Sequence, residues 1–142
     1  MGQPVSAVLP VRVYYEDTDS GGVVYYANYL KYLERARTEC LRALGFEQRQ
    51  LLEETGLAFA VRSVKVDYLK PARLDDQLEV ITAVESIGRA QVTFAQSITR
   101  AGETLLTASV RVACLELARG RPAAMPPAIH QALARHLEAH NP

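Results

Sequence analysis

The sequence predicts an α+β fold, with a five-stranded antiparallel sheet wrapped around one long central helix. Three observations point there. Apolar residues recur with a period near 3.6 along one long stretch and with a period of two along five others. Four of those five strands follow one another through mostly short connections, which pairs neighbours antiparallel. The long helix carries a full apolar stripe, and only a sheet face offers enough apolar surface to cover it. A chain of 142 residues is the size of one ordinary domain, so 1–142 is read as a single unit.

In order, Val8 to Glu16 reads as a strand, with Val11, Val13 and Tyr15 on one face. Asp17 to Gly22 is a polar loop. From Tyr26 to Leu44 the stripe Leu30, Leu33, Ala36, Cys40, Leu41 and Leu44 predicts the central helix, and Gly45 is its stop signal. Glu47 to Glu54 adds a short helix. Phe59–Leu69, Leu78–Ile87, Gln91–Thr99 and Thr104–Leu117 alternate as strands, with turns at Gly88-Arg89 and at Ala101-Gly102-Glu103. Arg119 to Pro127 holds three of the seven prolines and reads as a loop. Ala128 to His140 reads as a closing amphipathic helix. Unpaired strand edges predict a homo-oligomer.

Composition excludes several classes of function. Sixteen basic residues balance sixteen acidic ones, so no net charge favours nucleic acid or an anionic membrane. No apolar run approaches the roughly 18 residues of a membrane span. No basic stretch followed by an apolar core marks a signal peptide, which leaves a cytoplasmic location as the default. Met1, Gly2 and Ser6 fit only the bare, short N-myristoylation pattern. Cys40 and Cys114 have no zinc-motif spacing and read as reduced structural thiols.

Chemistry concentrates in one place. Six of the seven tyrosines lie between Tyr14 and Tyr32, around the loop Glu16-Asp17-Thr18-Asp19-Ser20-Gly21-Gly22. Tyrosine suits strands and interfaces, and Asp, Ser and Gly are ordinary turn residues. A calcium loop is excluded, because Gly21 and Asn28 stand where it needs an oxygen ligand and a bidentate Glu. No phosphate-binding glycine motif is present. The loop leads into the N-terminus of the long helix, where free N–H groups and the helix dipole favour an oxyanion. Gly21 and Gly22 allow a substrate close to the backbone. A nearby carboxylate can act on water as a general base or attack directly. These parts suit acyl transfer to water.

Val11 to Gly45, VRVYYEDTDSGGVVYYANYLKYLERARTECLRALG, closely resembles the 4-hydroxybenzoyl-CoA thioesterase family of hotdog-fold proteins. Within it, the likeness is closest to the bacterial acyl-CoA thioesterases associated with the Tol–Pal envelope system. A second matching block is Phe59 to Gln77, FAVRSVKVDYLKPARLDDQ. The resemblance implies the hotdog fold and metal-independent hydrolysis of an acyl-CoA thioester, with no cofactor beyond the coenzyme A of the substrate. It places the catalytic aspartate on Asp19 and the carbonyl-polarising backbone N–H on Tyr26, with Asp17 shaping the loop. Gly22, Val23 and Asn28 become substrate-binding candidates. The Tol–Pal branch commonly has histidine where this chain has Tyr26, so no imidazole is available there, and the acyl group stays open between aliphatic and aromatic.

Coenzyme A carries phosphates, so basic residues are expected at the pocket mouth. Arg62, Lys65, Lys70, Arg73 and Arg89 lie in the matching strands and turns, with Arg62 and Arg89 the foremost candidates. All three histidines, His130, His136 and His140, lie near the C-terminus, far in sequence from Asp19, which argues against the hotdog dehydratases and their pocket histidine. His136 and His140 have metal-pair spacing but no evident third ligand. The family implies a homodimer or homotetramer with the pocket between protomers. The Tol–Pal likeness adds cell-envelope protein partners and a peripheral inner-membrane location as expectations. The alternative from another class is a non-catalytic acyl-CoA-binding or scaffold protein of an envelope complex.

Overall fold

The computed structural model describes residues 7–140, with side chains through Leu137. Met1, Gly2, Ser6 and the His140 side chain lie outside the described residues. The elements are β1 (Ala7–Arg12), α1 (Tyr26–Ala43), α2 (Gln48–Thr55), β2 (Leu57–Tyr68), β3 (Gln77–Ile87), β4 (Gln91–Arg100), β5 (Glu103–Glu116), β6 (Arg121–Pro122) and α3 (Pro127–His140). The strands form one antiparallel sheet in the order β1-β3-β4-β5-β2, and β6 pairs with β5. The expected five strands are present, and the two-residue β6 lies within what the sequence suggests is a loop.

Two expectations need correction. The first strand does not run to Glu16. It ends at Arg12, and a 3-10 turn occupies Tyr15–Asp17. The cause is local: Asp17 Oδ2 accepts the Tyr14 N–H at 2.8 Å, which folds the chain back before Tyr15 can continue the alternation. Tyr15 is therefore 82% exposed. The helical stripe is also rotated. Tyr29, Tyr32, Leu33, Ala36, Cys40 and Leu41 are buried, whereas Leu30 is exposed. Tyrosine can take a core position when its hydroxyl finds a partner, and Tyr29 Oη accepts the Ala72 N–H at 2.9 Å.

The stripe of α1 joins Leu78, Val80, Phe94, Ile98, Leu106 and Val110 in one core. A buried amide fixes the helix on the sheet. Gln96 Nε2 donates to the Leu33 carbonyl at 3.0 Å and to Thr82 Oγ1 at 2.9 Å, and its Oε1 accepts from Arg37 at 3.1 Å. Such a satisfied polar network specifies one helix position, because any slip leaves buried groups unpaired. The helix N-terminus is thereby set relative to the end of β2.

Candidate active site

Thr18 to Val24 forms a small hairpin. Thr18 and Val24 are bridged, the Asp19 N–H donates to Val23 O at 2.9 Å, and the Gly22 N–H returns to Asp19 O at 3.1 Å. Gly22 sits at φ +79°, a left-handed conformation that closes such a turn and disfavours other residues. Asp19 Oδ1 accepts the Gly21 N–H at 2.8 Å, and Asp19 itself is exposed. One carboxylate oxygen is thus tethered, and Oδ2 takes no hydrogen bond from the described residues.

The hairpin feeds directly into α1. Tyr25 caps the helix in an extended conformation, and Tyr26 is its first residue. As the first helical N–H, that of Tyr26 has no carbonyl four residues back to bond. Asp17 ties the two parts together: its carbonyl accepts the Tyr25 N–H at 3.0 Å and Asn28 Nδ2 at 2.9 Å. The expected loop-shaping role of Asp17 matches these bonds. The Asn28 amide group is committed to holding the loop. Burial raises the Tyr32 phenol pKa, and the nearby Asp17 carboxylate raises it further, so Tyr32 stays protonated beneath the loop.

A hollow of about 270 Å³ opens beside the helix N-terminus, lined by Val24, Tyr26, Tyr29, Tyr68, Leu69 and Pro71 among others. The Tyr68 ring stands edge-on to Tyr26 at 6.3 Å and tilted to Tyr29 at 5.7 Å, and its hydroxyl donates to Tyr26 O at 3.4 Å. Burial raises the Tyr29 phenol pKa, so it is neutral near pH 7. A larger hollow, about 410 Å³, lies on the other side of the loop between Leu9 and Glu39 and touches Asp17 but not Asp19 or Tyr26. Among the described residues no group of three or more His, Cys, Asp or Glu is arranged to hold a metal.

One chain brings Asp19, Gly22, Val23, Tyr26 and Asn28 together. It does not bring Arg62 or Arg89 to them. Arg62 lies in the β2 bulge between Val61 and Ser63. Tyr68 at the site pairs with Leu106, whereas the Arg89 turn adjoins Gln91, which pairs with Ala113. Seven residues of β5 separate those positions, roughly 23 Å at about 3.3 Å per residue. Lys70 is close but paired with Glu103. Arg73 is bridged to Val23 through its backbone and exposed, which puts a basic residue beside the loop. Tyr68 is the site residue the sequence reading misses. It is the seventh tyrosine, and its only signal is its place at the end of a strand inside the second matching block.

A profile described as the Thioesterase superfamily matches residues 21–107. The acyl-CoA thioesterase YbgC of Haemophilus influenzae is 50% identical over 129 residues, 91% of this chain and 94% of that one. A probable thioesterase from Bartonella henselae superposes with a TM-score of 0.82 at 34% identity, covering 85% of this chain and 99% of its own. The DHNA-CoA thioesterase of Staphylococcus aureus superposes at 0.89 with 26% identity, covering 96% and 93%. The loop, the helix and the sheet order sit within this frame, and the chain belongs to the thioesterase superfamily, among its hotdog-fold acyl-CoA thioesterases.

Proposed function

We propose that the chain hydrolyses a short-to-medium aliphatic or aromatic acyl-CoA without a metal or other cofactor, with Asp19 as the reacting carboxylate. The observation that carries this reading is the tether of Asp19. The Gly21 N–H holds Oδ1 while Oδ2 is left open, on a hairpin that enters the helix at Tyr26. Asp19 either takes a proton from the attacking water or attacks the thioester carbonyl itself, giving an acyl intermediate that water then clears. The Tyr26 N–H and the helix dipole meet the oxyanion as it forms. The C–S bond then breaks to release coenzyme A as a thiolate, which takes up the proton Asp19 drew from water in the first route and a proton from solvent in the second. The tyrosine-walled hollow beside Tyr26, about 270 Å³, suits the acyl group.

A second copy completes the site. Strand β2 pairs with β5 on one side and is the edge of the sheet on the other, with Val61 and Val64 exposed along it. Pairing two such edges gives a homodimer, which a tetramer can extend. An antiparallel partner strand would carry that copy's Phe59 end, beside which its Arg89 turn lies, towards this chain's Tyr68 end, where the coenzyme A phosphates need cations, and would keep Arg62 near the middle of the seam. The reading keeps the protein in the cytoplasm, peripheral at the inner membrane where envelope proteins engage it.

The test is thiol release from a panel of aliphatic and aromatic acyl-CoAs. Wild-type turnover with a loss of about a hundredfold or more in Asp19→Asn supports the reading. Full turnover by Asp19→Asn places the chemistry elsewhere, and no wild-type turnover on any thioester favours acyl-CoA binding without hydrolysis.

A further inference from the structure

The segment from Leu69 to Asp76 joins β2 to β3 and has no helix or strand of its own. It does two things at the site. Its first residues, Leu69, Lys70 and Pro71, wall the aromatic hollow. Its middle clasps the catalytic hairpin: the Val24 N–H donates to Ala72 O at 2.8 Å, Val23 and Arg73 are bridged, and the Leu74 N–H reaches Gly22 O at 3.4 Å. The position of this segment therefore sets both the width of the hollow and the path of the chain from Gly22 into α1.

One side chain from outside the segment grips both of its halves. Arg100, the last residue of β4, donates through one guanidinium nitrogen to Pro71 O at 3.3 Å and to Asp76 Oδ2 at 2.7 Å. Its other terminal nitrogen donates to Glu103 Oε1 at 3.2 Å, and Glu103 in turn pairs with Lys70. Asp76 Oδ2 also accepts the Arg73 N–H at 2.8 Å, so the carboxylate that Arg100 holds closes the turn next to the clasp. Arg100 and Asp76 are 29% and 23% exposed, so the pair is partly shielded from water. A planar fork can serve a backbone carbonyl and two carboxylates at once, which a lysine ammonium on a flexible stem does with less geometric control.

We propose that Arg100 is a positioning residue for hydrolysis, holding the Leu69–Asp76 segment so that the Gly22–Val24 arm and the hollow keep their reactive geometry. The proposal rests on the placement of the chemistry at Asp19 and Tyr26. A displacement of well under an ångström at a reacting group is enough to slow a reaction severalfold.

The test compares Arg100→Ala, Arg100→Lys and Asp76→Asn in the full-length protein, well below the melting temperature of the weakest variant. Two readouts are taken: kcat and KM on a short and a longer acyl-CoA, and amide hydrogen exchange at Val24 against amides inside the β4–β5 ladder. Arg100→Ala is expected to lose roughly tenfold in kcat/KM and to lose protection at Val24 while the ladder keeps its own. Asp76→Asn is expected to follow it in weaker form, and Arg100→Lys to recover part of both losses. Kinetics within twofold of wild type in Arg100→Ala, with only a lower melting temperature, would make the cluster purely stabilising and overturn the proposal. A kinetic loss with Val24 protection intact overturns it as well, since the effect then travels by another route. The exchange readout needs no substrate, so an error in the assigned chemistry leaves it interpretable.

Discussion

Asp19 and Gly21 are matched to one another. The Gly21 N–H donates to Asp19 Oδ1 at 2.8 Å, and a Cβ on Gly21 would stand 3.3 Å from that same oxygen. That separation is tighter than ordinary van der Waals contact, so a side chain there pushes the carboxylate off its tether. Asp19 is exposed and free to give way. Gly21→Ala is therefore expected to cost little in stability and about three- to tenfold in kcat, the scale of a small misplacement of a reacting group. Steady-state kinetics beside a thermal melt separates the two, and unchanged kcat would remove the tether from the mechanism.

Tyr26 offers a direct test of the oxyanion contact. It is the first residue of α1, and Tyr25 before it is at φ −63° and ψ 129°, a conformation that tolerates a following proline. Proline is itself favoured at the first helical position. Tyr26→Pro is expected to keep the fold and remove the N–H, with a loss of about 10²–10³ in kcat, typical of one oxyanion donor. Tyr26→Phe keeps the N–H and the ring and loses only the hydroxyl, and is expected to stay within a few-fold of wild type. Equal losses in both variants would move the role from the backbone to the phenol.

Tyr29→Phe probes the floor of the hollow. The substitution leaves the buried Ala72 N–H without its acceptor. An orphaned buried donor costs about 1–3 kcal/mol, which lowers the melting temperature by several degrees in a chain of this size. Calorimetry measures it, and an unchanged midpoint would mean that the Tyr29–Ala72 bond carries no net stability.

Acid should loosen the same region. Partial burial pushes the Asp76 pKa up, but hydrogen bonds from Arg100 and the Arg73 N–H, with the charges of both arginines, outweigh it and hold Asp76 below its ordinary 3.8. A depressed folded pKa stabilises above the unfolded value, and that contribution is lost as pH falls through the folded one. Wild type should therefore lose stability from about pH 4 downward, and Asp76→Asn should show a shallower fall over that window. Urea melts at a series of pH values read the slope, and parallel curves would contradict the assignment.

Much of the fold is legible because the sheet writes its period into the sequence. Val92, Phe94 and Ile98 announce β4, and Leu106, Ala108, Val110 and Val112 announce β5, each buried as their alternation requires. The sequence is ambiguous where one residue type serves two purposes. Tyr29 serves both at once, buried in the core of α1 and lining the hollow, whereas Tyr32 belongs to the core alone. Leu30 looks like core but faces out. Nothing local announces that β1 pairs with β3, or that Arg100 reaches Asp76, since both join distant parts of the chain. At the site, Asp19, Gly22 and Tyr26 are legible as a motif. Tyr68 is not, and Arg73 is legible only as one of five basic candidates, because only the fold carries the Tyr68–Leu69 end and the Ala72–Leu74 clasp to the loop.

The most direct measurement sets Asp19→Asn against Asp17→Asn, with kcat and melting temperature taken on both. Asparagine at 19 can still accept the Gly21 N–H, so the hairpin persists while the charge is lost. Chemistry on Asp19 predicts a fall in kcat of about a hundredfold or more with the melting temperature nearly unchanged. Asp17 is tied to the Tyr14 N–H, so Asp17→Asn should act mainly on stability and leave most of kcat in the folded fraction. Near-wild-type turnover by Asp19→Asn, with activity abolished in a well-folded Asp17→Asn, would contradict the assignment and move the reacting carboxylate to Asp17.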